Sequence, residues 1–266
     1  VALQEQHTEI LHLLREGRLE VEGRLVSASN ATFYCSISLD GVSVAGVYKP
    51  VRGERPLWDF PDGSLARREA AAYLLSAASG WNLVPPTILR DGPFGEGMCQ
   101  VWIDHDPDLG VVDIVPRQEV PEGWRVVLDA FDTEGDEISL VHADDDRLKR
   151  LAVFDTIVNN ADRKGAHVLR SNDDQILGVD HGLCFHEENK LRTVLWGWAG
   201  EPIPDEQLEL LERVECDLDG PLGRAMGGLL DADELAALRA RVAGVRRAHV
   251  FPLPGDGWPS IPWPVF

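Results

Sequence analysis

The dipeptide Asp40-Gly41 lies between two runs with strand character, Phe33 to Leu39 and Val42 to Lys49. Asp-Gly accepts the positive φ angles of a two-residue hairpin turn, so the two runs read as antiparallel neighbours. Leu19 to Val26 reads as a further strand, joined to them by the small-residue turn Ser27-Ala28-Ser29-Asn30-Ala31-Thr32. Pro50 stops the last run, because proline has no N–H for a sheet ladder. The segment VALQEQHTEILHLLREG before the strands reads as a short amphipathic helix ending near Gly17, not as a signal peptide. The strands therefore form a three-strand antiparallel meander.

Residues 51–63 read as a loop, and Ser64 is placed to cap a helix from Leu65 to about Ala78 that Gly80 halts. Short strands follow at Thr87–Arg90 and Met98–Ile103. The stretch Asp104 to Asp146 is rich in acid, Gly and Pro, with one apolar patch from Trp124 to Phe131. A helix from about Asp145 to Asn160 carries Leu148, Leu151, Phe154 and Val158 at helical spacing. Two short strands, Ala166–Arg170 and Gln175–Val179, flank the turn Ser171 to Asp174. The remainder is mainly helical, with Asp205 and Asp231 as candidate caps and a stripe of Leu235, Leu238, Val242 and Val245. The proline-rich tail is expected to pack Trp258, Trp263 and Phe266 on the domain surface. β-rich first and α-rich afterwards is an α+β order. It predicts a small antiparallel β lobe with one helix, a larger mainly helical lobe, and a cleft between them.

Composition narrows the partners. The chain has 266 residues, with 25 Lys plus Arg against 45 Asp plus Glu, a formal net charge of −20. That balance speaks against nucleic acid, which needs clustered cations, and against docking on an anionic membrane. No apolar run approaches the ~18–20 residues that cross a bilayer, so integral membrane association is not expected. Cys35, Cys99, Cys184 and Cys216 lie far apart with no C-x-x-C pair. They read as reduced core thiols of a cytoplasmic protein.

Four polar positions are candidates for chemistry. Lys49 ends a strand on whose face Ala45 and Val47 also lie, a small apolar floor suited to an adenine ring and leading to an ammonium suited to its phosphates. Read plainly, it is a solvated strand-end lysine. Glu69 borders the apolar face of its helix and needs a cation, either Lys49 or the neighbouring Arg67 or Arg68. Asp162 lies in the polar loop Asn159-Asn160-Ala161-Asp162-Arg163-Lys164-Gly165-Ala166-His167, between two buried elements. It is either a proton acceptor or part of a helix-ending turn. Asp180 follows Ile176-Leu177-Gly178-Val179 and precedes His181-Gly182, the place of a metal ligand or of a turn-forming aspartate.

Their order is more specific than any one of them. Lys on the third strand, Glu on the next helix, Asp in a loop after a helix, and Asp-x-Gly after a hairpin is the layout of kinase-fold phosphotransferases. The segments GVYKP, REAAAYLLS, NNADRKGAH and VDHGLCF resemble the phosphatidylinositol 3-/4-kinase-like branch of that superfamily. Type II phosphatidylinositol 4-kinases are nearest in look, through an actinobacterial branch. The likeness covers roughly residues 20–190. It implies a single kinase-like domain over 1–266, with an N-lobe and hinge at 1–103 and a C-lobe at 104–266.

The resemblance also implies roles. Lys49 would hold the α- and β-phosphates of ATP, Glu69 would orient Lys49, Asp162 would be the catalytic aspartate, and Asp180 would bind Mg²⁺ or Mn²⁺. Ser27, Ser29, Asn30 and Thr32 fall in the phosphate-covering turn, without its usual glycines. Gln100, Val101, Trp102 and Ile103 fall at the hinge that holds adenine, near Val47. Two positions depart from the pattern. His167 stands where the superfamily usually has a metal-binding Asn, and Lys164 stands where lipid kinases often have His or Gly. Lys164 suits stabilisation of a transferring phosphate. The implied activity is ATP-dependent phosphotransfer to a protein or soluble small molecule. A nucleotide-binding pseudokinase scaffold and transfer of AMP to protein are the alternatives. In an acidic chain, the cleft is expected to be a local positive island formed by Lys49, bound metal and Lys164.

Overall fold

In the computed structural model, residues 2–26, 30–257 and 259–266 are described, apart from the side chains of residues 2–6 and 107. Asp40 and Gly41 take φ angles of 51° and 82°, the left-handed pair that a two-residue hairpin requires. They lock β2 (Phe33–Leu39) onto β3 (Val42–Pro50) in continuous antiparallel register. β1 (Arg18–Arg24), β4 (Thr87–Gly92) and β5 (Gly95–Val101) complete a five-stranded antiparallel sheet in the order β1-β2-β3-β5-β4. α1 (Ala2–Glu16) lays Leu13 and Leu14 on one sheet face, against Cys35, Ile37, Tyr48, Ile88 and Cys99. The expectation of one helix in the small lobe is therefore corrected to two. α1 joins α2 (Leu65–Ser79) because the sheet presents a buried face that the strands cannot cover themselves.

α2 is capped differently from the sequence expectation. The Ser64 hydroxyl donates back to the Pro61 carbonyl and does not cap the helix. The carboxylate of Glu54 accepts the N–H groups of Leu65 (3.2 Å) and Ala66 (2.9 Å) instead. A carboxylate at a helix N-terminus satisfies open donors and suits the helix dipole. Gly80 ends α2 in the left-handed conformation, as its sequence suggests.

The larger lobe holds α3 (Asp146–Val158), α4 (Asp205–Leu218), α5 (Pro221–Met226) and α6 (Ala232–Ala248). It also contains an antiparallel sheet that the acid-rich stretch concealed. β6 (Val112–Pro116), β7 (Trp124–Phe131) and β8 (Glu137–Ala143) pair in the order β6-β8-β7. Leu140, Val141 and His142 of β8 are buried, while Asp113, Asp129 and Glu137 lie at solvent on the same ribbon. The exposed charges interrupt the strand pattern in sequence, and the mainly helical lobe gains this sheet as a correction. The short strands β9 (Val168–Arg170) and β10 (Ile176–Gly178) form the expected hairpin after α3. Together these elements make an α+β fold of two lobes, a small antiparallel β lobe with α1 and α2 and a larger lobe of helices and short sheets.

Asp231 caps α6, as expected, and the structure shows that Glu234 completes a reciprocal capping box. Asp205 does not cap; it is the first residue of α4, with Pro204 in front of it. The tail crosses the larger lobe. Ser260 O accepts from Thr193 N–H (3.0 Å) and from the Trp196 indole (2.8 Å), and Val265 O accepts from Gly165 N–H (2.8 Å). A Cβ on Gly165 would strike the Phe266 ring, so only glycine admits this approach. Ile261 and Val265 pack against the core, and Trp263 is 86% exposed, contrary to expectation. Trp258 lies outside the described residues. Cys35, Cys99 and Cys184 are buried free thiols, but Cys216 on α4 is exposed, which corrects its reading as a core residue.

α2 belongs to both lobes. Ala71, Ala72, Tyr73 and Leu75 pack in one core with residues of α3, α4 and α6. The buried Arg68 guanidinium donates to Glu234 of α6 and to the Cys184 carbonyl, and lies 4.8 Å from the Phe60 ring. Removing one member of a buried pair strands the other charge. Arg68→Met is expected to lower stability by roughly 3–5 kcal/mol in urea unfolding; an unchanged midpoint would refute the pair's importance.

His142 supplies a pH dependence. Its Nδ1 faces the Ala143 carbonyl (2.9 Å) and its Nε2 accepts from Gly197 N–H (3.0 Å). Protonating Nε2 would forfeit that acceptor. Burial, with a contribution from Arg125, lowers its pKa to about 4. As pH falls from about 6.5 to about 4, the unfolded chain takes up a proton that the folded chain refuses. Stability should fall by on the order of 3 kcal/mol across that window from this group alone. Unfolding midpoints measured from pH 7 to 4 should flatten in His142→Gln, and equal slopes in the two proteins would contradict the assignment.

Candidate active site

Lys49 is half-buried near the end of β3, on the sheet face it shares with Ala45 and Val47. Its Nζ donates to Glu69 Oε1 and to Asp180 Oδ1, each at 2.8 Å. The other Glu69 oxygen accepts from the His181 N–H at 2.9 Å. One buried carboxylate on α2 thus ties the small-lobe lysine to the segment after β10. Of the partners open to Glu69 in sequence, the structure selects Lys49, while Arg68 turns to Glu234.

The charges hold one another. Burial works against the Lys49 ammonium, but Asp180 and Glu69 outweigh it and keep its pKa above the ordinary lysine value. Burial likewise opposes charge on Asp180, yet Lys49, with His167, holds its carboxyl well below the usual range. At Glu69 burial wins over Lys49 and raises the pKa.

The loop after α3 is built on a buried arginine. Arg163 Nε and Nη2 donate to the two Asp155 oxygens (2.8 and 2.9 Å), and neither side chain is exposed. Arg163 Nη1 donates to the carbonyls of His167 (3.0 Å) and Val179 (2.8 Å), and Nη2 to His181 Nε2 (2.7 Å). Asn159 ends α3 in the left-handed conformation, and Asn160 Oδ1 accepts from Asp162 N–H (2.9 Å). Asp162 is thereby held at the cleft with its carboxylate a quarter exposed and Lys164 Nζ 3.5 Å away. Burial raises its pKa, partly offset by Lys164 and by Arg192. His167 lies on the same side, its Nδ1 3.1 Å from Asp162 O and its Nε2 3.5 Å from Asp180 Oδ2. Burial lowers the His167 pKa to about 4, against the pull of Asp180, so the ring is neutral at pH 7.

The structure therefore brings Lys49, Glu69, Asp162, Lys164, His167 and Asp180 into one cluster. The turn and hinge residues are placed differently. Asn30 Oδ1 accepts from Arg55 N–H, and the buried Thr32 hydroxyl donates to Asn30 O, so both brace the turn itself. Ser27 and Ser29 lie outside the described residues. Gln100 is opposite Val47 in the sheet, and its amide donates to the Thr87 hydroxyl (2.7 Å). Val101 N–H bonds Pro86 O and Trp102 N–H bonds Ala45 O, while the Trp102 indole meets Tyr34 edge-on. Ile103 follows, with its carbonyl 3.3 Å from His105 Nδ1.

Arg163, Asp155 and Asn160 organise the site without having been singled out in sequence. Asp155 gave a signal: it lies four residues after Leu151 on the apolar face of α3, where a carboxylate needs a buried cation.

Comparison with known proteins gives a close relative. Protein Rv2133c of Mycobacterium tuberculosis is 54% identical over 263 residues, covering 96% of this chain and 94% of its own length. The chain belongs to the Rv2133c family. Beyond that family, phosphatidylinositol 4-kinase gamma 4 of Arabidopsis thaliana is 22% identical over 230 residues, which are 75% of this chain and 39% of that protein. Phosphatidylinositol 4-kinase gamma 3 of the same plant is 30% identical over 90 residues, 31% of this chain and 16% of that protein. Among solved structures, the Helicobacter pylori proinflammatory kinase CtkA matches with TM-score 0.45 and 11% identity, covering 90% of this chain and 94% of its own. No family model matches. No helix among the described residues is long and apolar enough to cross a membrane.

Lys49 pairs with Glu69 and Asp180, His167 lies against Asp180, and Lys164 lies 3.5 Å from Asp162. Lys49→Met should therefore release Asp180 and leave Glu69 buried without its cation. Native-state hydrogen exchange should show the His181 amide, which Glu69 accepts, opening at least about tenfold faster; unchanged protection would show that the lysine does not hold the segment.

Proposed function

We propose that the Rv2133c-family chain is an ATP-dependent phosphotransferase whose acceptor is a protein or a soluble small molecule. The observation that carries this reading is the double contact of Lys49, at 2.8 Å, with both Glu69 and Asp180. An ammonium fixed between two carboxylates at the end of an apolar sheet face is a preformed cradle for a nucleotide polyphosphate. The weak kinship to phosphatidylinositol 4-kinases supports the class of reaction.

In this reading Lys49 holds the α- and β-phosphates, with the adenine on the face of Ala45 and Val47 and its edge toward Gln100–Ile103. Asp162 accepts the proton of the acceptor hydroxyl. The raised pKa that burial gives it suits a base that must take up that proton. The acceptor oxygen bonds to the γ-phosphorus as the bond to the ADP oxygen breaks, and Lys164 offsets charge on the moving phosphoryl group. Asp180 and His167 fit a divalent cation, since one carboxylate oxygen and one imidazole nitrogen face each other across 3.5 Å. Among the described residues no third His, Cys, Asp or Glu completes a metal cluster there, so a bound cation would need phosphate oxygens or water as well. Such a cation neutralises phosphate charge when bound. The net charge of −20 favours a protein or soluble acceptor over an anionic lipid surface.

Purified protein should turn over ATP when Mg²⁺ or Mn²⁺ is present with an acceptor. Asp162→Ala should cut turnover by roughly 10²–10⁴-fold while retaining nucleotide affinity. Asp180→Ala should lose both. No metal-dependent turnover with any acceptor class would overturn the transferase reading. The replacement of the usual metal-binding Asn by His167 favours one second reading, a nucleotide-binding scaffold. ATP-induced thermal stabilisation that needs no metal, without turnover, would select it.

A further inference from the structure

We propose that the cavity between β3 and α2 is a binding site for a soluble small molecule with one anionic group on an apolar body. Along β3, Ala45 and Val47 come first, Lys49 next, and Val51 of the cavity follows, so the site lies beyond the nucleotide cradle. It does not depend on the phosphotransfer reading.

The cavity has a volume of about 340 Å³ and is enclosed by the connection from β3 to the first turn of α2. Small-molecule sites begin at about this size. Phe60 and Leu65, both buried, line it together with Val51, Pro56, Leu57 and Pro61. An apolar lining of this kind takes up an apolar body.

The connection is fixed at both ends. Gly53 O accepts from Ala31 N–H (3.1 Å), Arg55 N–H donates to Asn30 Oδ1 (2.9 Å), and Glu54 is committed to the N–H groups of Leu65 and Ala66. Further along, Asp59 O accepts from His186 Nε2 (2.9 Å) and the Asp59 carboxylate from Lys190 (3.1 Å). The Phe60 ring has the Arg68 guanidinium 4.8 Å from its centre and meets His186 edge-on at 5.3 Å. Walls held in this way are in place before anything binds, which lowers the ordering cost of binding.

The anionic group follows from two arginines. Arg52 and Arg55 also line the cavity. Neither guanidinium has an ion pair or hydrogen bond with a described residue. Arg52 lies 5.3 Å over the Phe94 ring, a contact with the guanidinium face that uses none of its N–H donors. Of the carboxylates lining the cavity, Glu54 is committed to α2 and Asp62 is exposed. The chain has 45 Asp plus Glu against 25 Lys plus Arg, so two arginines without a carboxylate beside one apolar cavity are anion capacity that the fold does not use.

Occupancy would be felt at Asp162. Phe60 and Leu65 form one apolar cluster with Ala161, the residue before Asp162, and Leu183 packs against it. Ala161 N–H donates to Leu183 O at 2.9 Å, inside that cluster. A molecule filling the cavity therefore braces a bond that carries the polar loop.

The test is fluorescence titration of the whole chain with 8-anilinonaphthalene-1-sulfonate and with N-phenyl-1-naphthylamine, which has the same body without the sulfonate. Saturable binding of the sulfonate at one site is expected. The double variant Arg52→Gln, Arg55→Gln should raise its Kd at least about tenfold and leave that of the neutral dye within about twofold. Leu57→Asp should abolish binding of both. All three positions are exposed, so these variants keep the fold. With the sulfonate bound, hydrogen exchange of the Ala161 amide should slow at least about threefold. Dye binding that none of the substitutions changes would overturn the site, as would displacement of the sulfonate by the β,γ-methylene analogue of ATP, which would place the dye in the nucleotide cradle. Arginine-dependent binding to phosphatidylglycerol vesicles without binding of the soluble dye would move the anion to a membrane and overturn the soluble class.

Discussion

The cleft depends on one buried cation. Arg163 has no exposed surface, and five groups receive its protons: both oxygens of Asp155, the carbonyls of His167 and Val179, and the His181 imidazole. Those groups come from α3, the turn before β9, the end of β10 and the segment that follows Asp180. A guanidinium is suited to this because its donors are coplanar and diverge at fixed angles. A flexible ammonium could match the charge of Asp155 but not the simultaneous directions. Gly178 completes the arrangement, since a Cβ there would approach Arg163 Nη2 to 2.9 Å. The partly exposed acids of the cluster, Asp162 and Asp180, thus owe their separation to a residue that never meets solvent.

A second constraint joins the lobes. Arg68 and Glu69 are consecutive on α2, and they bond in different directions. Arg68 binds Glu234 and the Cys184 carbonyl in the larger lobe, and Glu69 binds Lys49 and the His181 amide. Trp81, just after α2, donates its indole to Gln207 on α4 at 2.8 Å. The helix that positions Lys49 is therefore part of the larger lobe's core. A movement of α2 away from the cleft would have to break a buried ion pair and uncover Ala71, Ala72 and Leu75. The Lys49–Glu69 contact is consequently a standing feature of the fold.

Legibility differed by the range of the interaction. The hairpin at Asp40-Gly41 was readable because its turn chemistry is contained in two residues, and the Asp231 cap of α6 because it adjoins the helix it starts. The Lys, Glu, Asp, Asp order was readable because each residue sits at a fixed place on its own element. The β6-β8-β7 sheet was not, because its outward residues mix acids such as Asp113, Asp129 and Glu137 with exposed apolar groups such as Val126, Leu128 and Phe131, and its inward ones include His142 and Ser139. The Glu54 cap was also hidden, since Glu54 lies eleven positions before Leu65 and displaces the nearer Ser64. The family resemblance places Thr32 in the phosphate-covering turn and Gln100 at the hinge. Only packing showed that their side chains bond Asn30 and Thr87.

The sequence alone determined the strand meander, the α2 and α3 helices, and the identity of the polar residues lining one cleft, because these follow from local periodicity and turn chemistry. It also determined that the cleft is set in an acidic chain. Tertiary structure decided which charges meet. It paired Glu69 with Lys49 and Arg68 with Glu234, buried Arg163 on Asp155, and turned His167 Nε2 toward Asp180. Those choices join residues from 8 to 166 positions apart. No local preference can select among partners at such separations. They are settled only when burial removes water as the alternative partner and leaves each charge the one opposite group within reach.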